Sequence, residues 1–176
     1  MAPIEHAALP RTTEARPRGR AATTDVAAFE DAVEPHYPNL VRRLVMVLGN
    51  THDAEDVAQD AYLAAFRAWD RFDGADVRAW LYTIGLRMAF NHLRGRRRLL
   101  RAIHRLEPTP WDDSIDPDLW AALTSLEVRP RTALLLNAVD GYTQAEIARI
   151  LDVPAGTVAS WISRSRATLR AVLERS

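Results

Sequence analysis

Three observations predict an all-α chain made of two small helical domains joined by an irregular linker. Apolar residues recur at spacings of three and four along most of the 176 residues, and no stretch alternates as a strand would. Residues 99–117 break this pattern with Pro108, Pro110 and Pro117. After that break, residues 143–170 read as two short helices around a tight turn.

Taken in order, residues 1–24 are rich in Ala, Pro, Arg and Thr without apolar periodicity, which predicts a disordered tail. A mitochondrial-type presequence is the rival there; Pro10, Pro17 and the want of an amphipathic helix weigh against it. Asp25 is the expected N-cap of a short helix bearing Val26, Phe29 and Val33, after which Pro35 and Pro38 break or bend the chain. A second helix carries Leu40, Val41, Leu44, Val45 and Leu48 and stops at Gly49-Asn50.

Asp53 is expected to cap the third helix. Its Val57, Ala61, Ala65 and Trp69 form a core-facing stripe, flanked by Ala58, Tyr62 and Phe66. The opposite face presents Asp56, Gln59, Asp60, Leu63, Arg67 and Asp70. Leu63 is alone on that polar face, which is usually meaningless but is also how an interface anchor looks. A loop over 72–76 leads to a fourth helix over 77–98, with Trp80, Leu81, Ile84, Met88 and Leu93 available for packing.

Beyond the linker, Asp116-Pro117 starts a helix with Leu119, Trp120, Leu123 and Leu126. Pro130 starts another with Ala133, Leu134, Leu135 and Val139, ending at Asp140-Gly141. The expected domains are thus 25–98 and 118–176, each small enough to be only modestly stable.

Thr143 and Glu146 have the spacing of a capping box. Ile147, Ala148 and Leu151 form an apolar face, Asp152-Val153-Pro154 interrupts it, and Pro154 suits the first turn of the next helix. Val158, Ile162 and Leu169 continue inward with Ser165 between them, leaving Thr157, Ser160, Ser163 and Arg164 outward. Such a pair is built like a major-groove reader; an ordinary helical hairpin is the plainer alternative.

Formal net charge is zero, yet the charges are segregated. Arg94, Arg96, Arg97, Arg98, Arg101 and Arg105 crowd together, as do Arg164, Arg166 and Arg170, while acids gather at Asp53, Glu55, Asp56 and Asp60 and at Asp112, Asp113, Asp116 and Asp118. There is no Cys, which excludes disulfides, thiolate metal sites and thiol nucleophiles. No membrane-length apolar run or signal-peptide core is visible, so a cytoplasmic protein without membrane insertion is expected. His52 and the 53–60 acids invite a metal reading, but the neighbouring helices offer few convergent ligands, and acids in a first helical turn are favoured by the dipole. Neither a phosphate loop nor a nucleophile elbow occurs, so no catalytic residue, metal or cofactor is expected.

The 77–98 helix interleaves Trp80, Tyr82, Phe90 and His92 with Arg78, Arg87, Asn91, Arg94 and the Arg96-Arg97-Arg98 run. Aromatic faces stack on unpaired bases and guanidinium groups neutralise phosphates, so this helix could hold a melted strand. Core packing of the aromatics with a solvated basic end is the alternative.

Here the chain resembles the sigma-70 family of bacterial RNA polymerase sigma factors, in its extracytoplasmic-function (ECF) group. DAEDVAQDAYLAAFRAWDRFDG resembles the part of the family's region 2 that docks on the polymerase clamp. VRAWLYTIGLRMAFNHLRGRRR resembles the part that opens and reads the −10 element. RPRTALLLNAVDGYTQAEIARILDVPAGTVASWISRSRATLRAVL resembles region 4, which binds the −35 element.

The resemblance implies that Asp56, Gln59, Asp60, Leu63 and Arg67 contact core RNA polymerase. It gives the −10 strand to the 72–76 loop with Trp80, Tyr82, Arg87, Asn91 and Arg94. Thr157, Ser160, Trp161, Ser163 and Arg164 would face the −35 promoter DNA. The linker would thread the polymerase near the nascent RNA, where its DDSIDPD segment could mimic RNA charge. Family members are often held by an anti-sigma factor, though nothing in these residues names one.

Two positions depart from the family. Ala159 stands where Lys or Arg commonly follows the Thr-Val pair, and Trp161 where Arg is usual. Losing a cation should weaken phosphate or guanine contact, and Trp161 could instead pack inward or cover a thymine methyl. The usual Leu-Pro before the long region 4 helix is replaced by Glu127-Val128-Arg129-Pro130. A non-enzymatic initiation factor is therefore the leading expectation. Its alternatives are a free-standing helix-turn-helix regulator and a sigma-like protein with altered −35 recognition and weak initiation.

Overall fold

The computed structural model describes residues 22–100 and 116–174, with side chains described over 26–95 and 116–174. The tail expected over 1–24 falls almost wholly outside these residues. So do Trp111, Asp112 and Asp113 of the linker, and the side chains of Arg96, Arg97, Arg98, Arg101 and Arg105. Among the described residues every regular element is helical.

The first half comprises α1 (Ala22–Val33), α2 (Tyr37–Leu48), α3 (Thr51–Ala68) and α4 (Val77–Leu100), with short 3-10 turns at Glu34–His36 and Trp69–Arg71. Helix α1 begins three residues before Asp25, so that residue lies inside its first turn and not at its cap. Pro35 tightens the chain into the 3-10 turn, and Pro38 then sits in the first turn of α2, where its missing N–H costs nothing. Gly49 ends α2 in the left-handed region at φ 72°, as its place after Leu48 predicts.

The cap of α3 is Asn50, not Asp53: the Asn50 Oδ1 accepts the Asp53 N–H at 2.9 Å. Asp53 keeps its favourable place within the first turn, where the helix dipole suits an acid. Ala54, Ala58, Ala61 and Ala65 give α3 a thin buried face, so neighbours approach closely. Helix α4 comes close at Gly85, where an added Cβ would stand 2.8 Å from Leu40 Cδ1 of α2 and 3.6 Å from the Ala61 Cβ of α3. The apolar payload comes from the partners, Phe29, Leu40, Leu44, Leu81 and Leu86, all essentially buried. Each contributes about 1.5–3 kcal/mol of burial.

The second half comprises α5 (Pro117–Ser125), α6 (Val128–Ala138), α7 (Gln144–Leu151) and α8 (Ala155–Leu173). Asp116 caps α5, accepting from the N–H groups of Asp118 and Leu119. Helix α6 starts at Val128, two residues before Pro130, which lies in its first turn where proline is still tolerated. Gly141 turns the chain at φ 78°. Thr143 and Glu146 form both halves of the capping box. Asp152 takes a left-handed conformation (φ 52°) in the turn, and Pro154 is the N-cap of α8, not its first helical residue.

The two halves do not stand apart. Helix α4 packs on α7 and α2 on α6, so buried residues from both halves form one continuous cluster. Polar groups are buried along this seam. Arg131 of α6, 6% exposed, donates to the Val47 carbonyl at 2.8 Å and lies 3.4 Å from the Leu123 and Thr124 carbonyls. These carbonyls close the last turns of α2 and α5, where the helix dipoles favour a cation. Burial nonetheless pulls the Arg131 guanidinium below its ordinary pKa.

Candidate polymerase and nucleic-acid interfaces

Three surfaces gather the residues expected to act. On α3 the stripe Val57, Ala61 and Ala65 is buried, which turns Asp56, Gln59, Asp60, Leu63 and Arg67 outward. Leu63 is 49% exposed, and Phe66, one turn on, is 41% exposed although it edges Phe29 at 5.2 Å. Phe66 is therefore more surface than the core-flanking position expected of it; its spacing of three from Leu63 is the signal that could have paired them. A cavity of about 600 Å³ beside Leu63 is lined by Glu30, Glu34, Tyr37, Gln59 and Tyr62. Burial, with Glu30 and Glu34 nearby, pushes the Tyr62 phenol up, so it remains a neutral hydrogen-bonding edge. Apolar anchors within an acidic surround suit a protein partner better than a nucleic acid.

The same helix carries the residues of the metal reading. His52 lies 3.7 Å from Asp56 and His92 of α4 lies 3.6 Å from Asp53. Among the described residues no third ligand joins either pair.

The second surface is one face of α4 and the loop before it. Asp76 Oδ1 accepts the Ala79 N–H at 2.9 Å, starting the helix, and Asp73 Oδ1 accepts the Ala75 N–H at 3.1 Å, shaping the loop. Gly74 supplies the loop's left-handed residue at φ 81°. Trp69, Phe72 and Trp80 form an aromatic wall beside the loop, with ring centroids 4.8–6.0 Å apart. Trp80 is half-buried in it, whereas Arg87, Asn91 and Arg94 are exposed. At 100° per residue, positions 80, 87, 91 and 94 fall within about 60° of one another on one face. Arg94 donates to the Asn91 Oδ1 within that face.

Tyr82 does not join them. It is fully buried, and its hydroxyl donates to Asp140 Oδ1 at 3.2 Å, so no strand can stack on it in this arrangement. The reason is the helical period: two residues after Trp80 lies about 200° round the helix.

The third surface is α8. Ser160, Ser163 and Arg164 are exposed, Thr157 is partly buried, and Arg164 Nε donates to the Ser160 carbonyl at 3.3 Å. Val158, Ile162 and Ser165 face inward and set this orientation. Trp161 is partly buried and lines a cleft of about 450 Å³ with Phe90, Leu93 and Arg94 of α4 and Pro130 of α6. The second and third surfaces thus approach each other across the seam between the halves.

Comparison with known proteins decides the family. The sigma-70 region 2 model matches residues 32–99 and the sigma-70 region 4 model matches residues 117–169. The ECF RNA polymerase sigma factor SigE of Mycolicibacterium smegmatis is 30% identical, over 99% of this chain and 77% of its own length. This chain belongs to the ECF group of the sigma-70 family. The RNA polymerase sigma-H factor of Pseudomonas aeruginosa is also 30% identical, over 85% of this chain and 88% of that one.

Among solved structures the fold matches the sigma factor RpoE of Bartonella quintana, determined with the anti-sigma factor NepR. The TM-score is 0.72 and the identity 26%, covering 84% of this chain and 97% of that one. CnrH, determined with the cytosolic domain of CnrY, matches at a TM-score of 0.66 and 29% identity, covering 88% of this chain and 93% of that one. As an ECF sigma factor the protein is a non-enzymatic, promoter-directing subunit of RNA polymerase. No described helix is long and apolar enough to cross a membrane.

Proposed function

We propose that this sigma factor docks on core polymerase through the outer face of α3, holds the −10 strand on α4 and its preceding loop, and reads the −35 duplex with α8. Residues 25–98 serve as the polymerase and −10 unit, 118–176 as the −35 unit, and 99–117 as the linker. The observation that carries this reading is the α4 face. Trp80, Arg87, Asn91 and Arg94 share one side of a helix beside an aromatic wall. Aromatic stacking at about 1–3 kcal/mol per base and guanidinium contacts to phosphate favour an unpaired strand over a duplex. Opening is driven by this binding energy, and polymerase performs the chemistry. The protein works in the cytoplasm, and the RpoE relative solved with the anti-sigma factor NepR supports a partner of that kind here.

Run-off transcription with core enzyme on genomic fragments tests the function and reports the promoter together. In the same assay Trp80→Ala and Asn91→Ala should reduce open-complex formation by about tenfold or more while leaving closed-complex binding nearly intact. Equal losses in both steps would remove the strand-holding role from α4.

A second reading, a sigma-like protein with altered −35 recognition, is favoured by Trp161, which turns partly into the cleft where a cation would face DNA. Transcription from a matched promoter separates the two. The charge-mimicry role of the DDSIDPD segment narrows to fewer side chains, because Asp116 is engaged as the cap of α5. Neutralising Asp112, Asp113 and Asp118 without any change in initiation or escape would exclude it.

A further inference from the structure

The seam between the halves is organised around one acid. Asp140 lies in the turn after α6, and its side chain is only 7% exposed. Among the described residues, every side-chain partner it has comes from the other half. Arg43 Nε of α2 lies 2.8 Å from its Oδ2, an ion-pair distance without hydrogen-bond alignment. Arg78 Nη2 of α4 lies 3.2 Å from its Oδ1 and donates to its backbone carbonyl at 2.7 Å. The Tyr82 hydroxyl donates to its Oδ1 at 3.2 Å. The Arg78 guanidinium also sits 4.7 Å over the Tyr142 ring, so the residues flanking Gly141 both engage it.

Nothing in the local folding of the second half needs these contacts. Gly141 supplies the turn, the Thr143 capping box starts α7, and Asn137 donates to the Tyr142 carbonyl at 2.8 Å. Asp140 is instead spent across the seam. The balance of charge there is uneven: Arg43 and Arg78 meet the single Asp140 carboxylate, while Arg131 is held by backbone carbonyls. A buried contact with surplus cation holds through geometry and opens at modest cost, since each group regains hydration on separation. Burial, followed by the Asp140 charge, keeps the Tyr82 phenol above its ordinary pKa and in its donor form.

The closed seam also sets the two nucleic-acid faces against each other. Arg87 and Arg94 of α4 share a cleft of about 420 Å³ with Arg129, Arg149 and Asp152 of the second half, and Trp161 lines the adjoining one. A duplex, whose major groove alone is about 12 Å wide, has no room between them.

We propose that Asp140 is an intramolecular latch: through Arg43, Arg78 and Tyr82 it holds the second half closed on the first in the free chain. In this state the α4 and α8 faces are exposed to solvent but set against each other across narrow clefts, and engagement of a duplex requires the latch to release. The latch rests on the seam geometry alone; the obstruction of DNA rests on the function proposed above.

The absence of cysteine makes a distance measurement direct. Glu55→Cys and Ala171→Cys, both exposed positions, accept a pair of spin or fluorescent labels on the full chain. The otherwise native chain should give one narrow distance distribution. Asp140→Asn should lower the closed-to-open ratio by roughly a hundredfold, the effect of leaving two guanidinium groups unpaired in a buried site, and so give a longer, broader distribution. Arg78→Gln, on the opposite half, should shift it in the same direction with helical circular dichroism unchanged. It keeps the test decisive even where Asp140→Asn perturbs folding. A broad distribution in the native chain, or a narrow one in Arg78→Gln, overturns the latch. A parallel titration with a short duplex DNA probe distinguishes the two levels. Tighter binding by the opened variants supports obstruction of DNA by the closed seam, whereas opening without any gain in DNA affinity leaves the latch standing and overturns the obstruction.

Discussion

At the scale of single residues, the tightest constraint is Gly85. A glycine inside a helix costs about 0.5–1 kcal/mol, and here that cost is offset by the approach of α4 to Leu40 and Ala61. Gly85→Val should destabilise the chain by about 1–3 kcal/mol in urea unfolding, because Leu40 is fully buried and has little room to yield. Ala159 makes the opposite kind of prediction. It is partly buried on α8 one residue before Ser160. Ala159→Arg should strengthen holoenzyme binding to some promoters by about tenfold, through a contact to phosphate or guanine. Unchanged affinity across a promoter panel would mean the position does not face DNA. Leu63 was visible as an apolar residue on a polar face from spacing alone. Phe66 was not, because the period that places it beside Tyr62 also permits it to pack, and only the position of Phe29 settles how far it does so.

Among the elements, helix ends carry the clearest chemistry. Thr143 donates its hydroxyl and its N–H to the Glu146 carboxylate while its own Oγ1 receives the Glu146 N–H. These hydrogen bonds from Thr143 hold the Glu146 carboxyl below its ordinary pKa. A carboxyl depressed in the folded state contributes stability above its unfolded pKa and loses it as pH falls through the folded one. Glu146→Gln should therefore melt earlier than the native chain at neutral pH, with the difference closing in acid. A gap that stays constant with pH would remove the carboxylate from the cap. The Thr143–Glu146 box and the Asp116 cap were legible because an N-cap is a local pattern of side chain and spacing. The cap of α3 was misplaced by three residues, since Asn50 and Asp53 are both good candidates and the carboxylate alone does not say which turn begins the helix. Tyr82 leaves the strand-holding face of α4 because the helical angle, which aromatic and Arg content does not carry, turns it into the core.

For the molecule as a whole, the two halves share one buried cluster and the Asp140 and Arg131 contacts. Neither half is large enough to be very stable alone. Equilibrium urea unfolding should then be a single transition, coincident by tryptophan fluorescence and circular dichroism, and Asp140→Asn should separate it into two. Two transitions in the native chain would mean that the halves fold independently and that the seam contributes little. The family models match the two halves as separate segments, 32–99 and 117–169, and say nothing of how the halves meet.

What the sequence by itself determined is what depends on neighbours within a few residues: the helical class, the stops at Gly49 and Gly141, the capping box, the outward face of α3 and the two-helix pair around the 152–154 turn. Period and spacing dictate these, because a helix exposes the same residues whatever it later packs against. Only the tertiary structure decided which polar residues become partners over long separations. Asp140 reads in the sequence as an ordinary helix stop, and Arg78 as one of the arginines that could hold a melted strand; Arg43 carries no signal of its own. They become one buried cluster because α2, α4 and the turn after α6 converge, bringing together residues 62 and 58 positions apart in the Arg78–Asp140 and Tyr82–Asp140 contacts. No local pattern encodes a meeting of that kind.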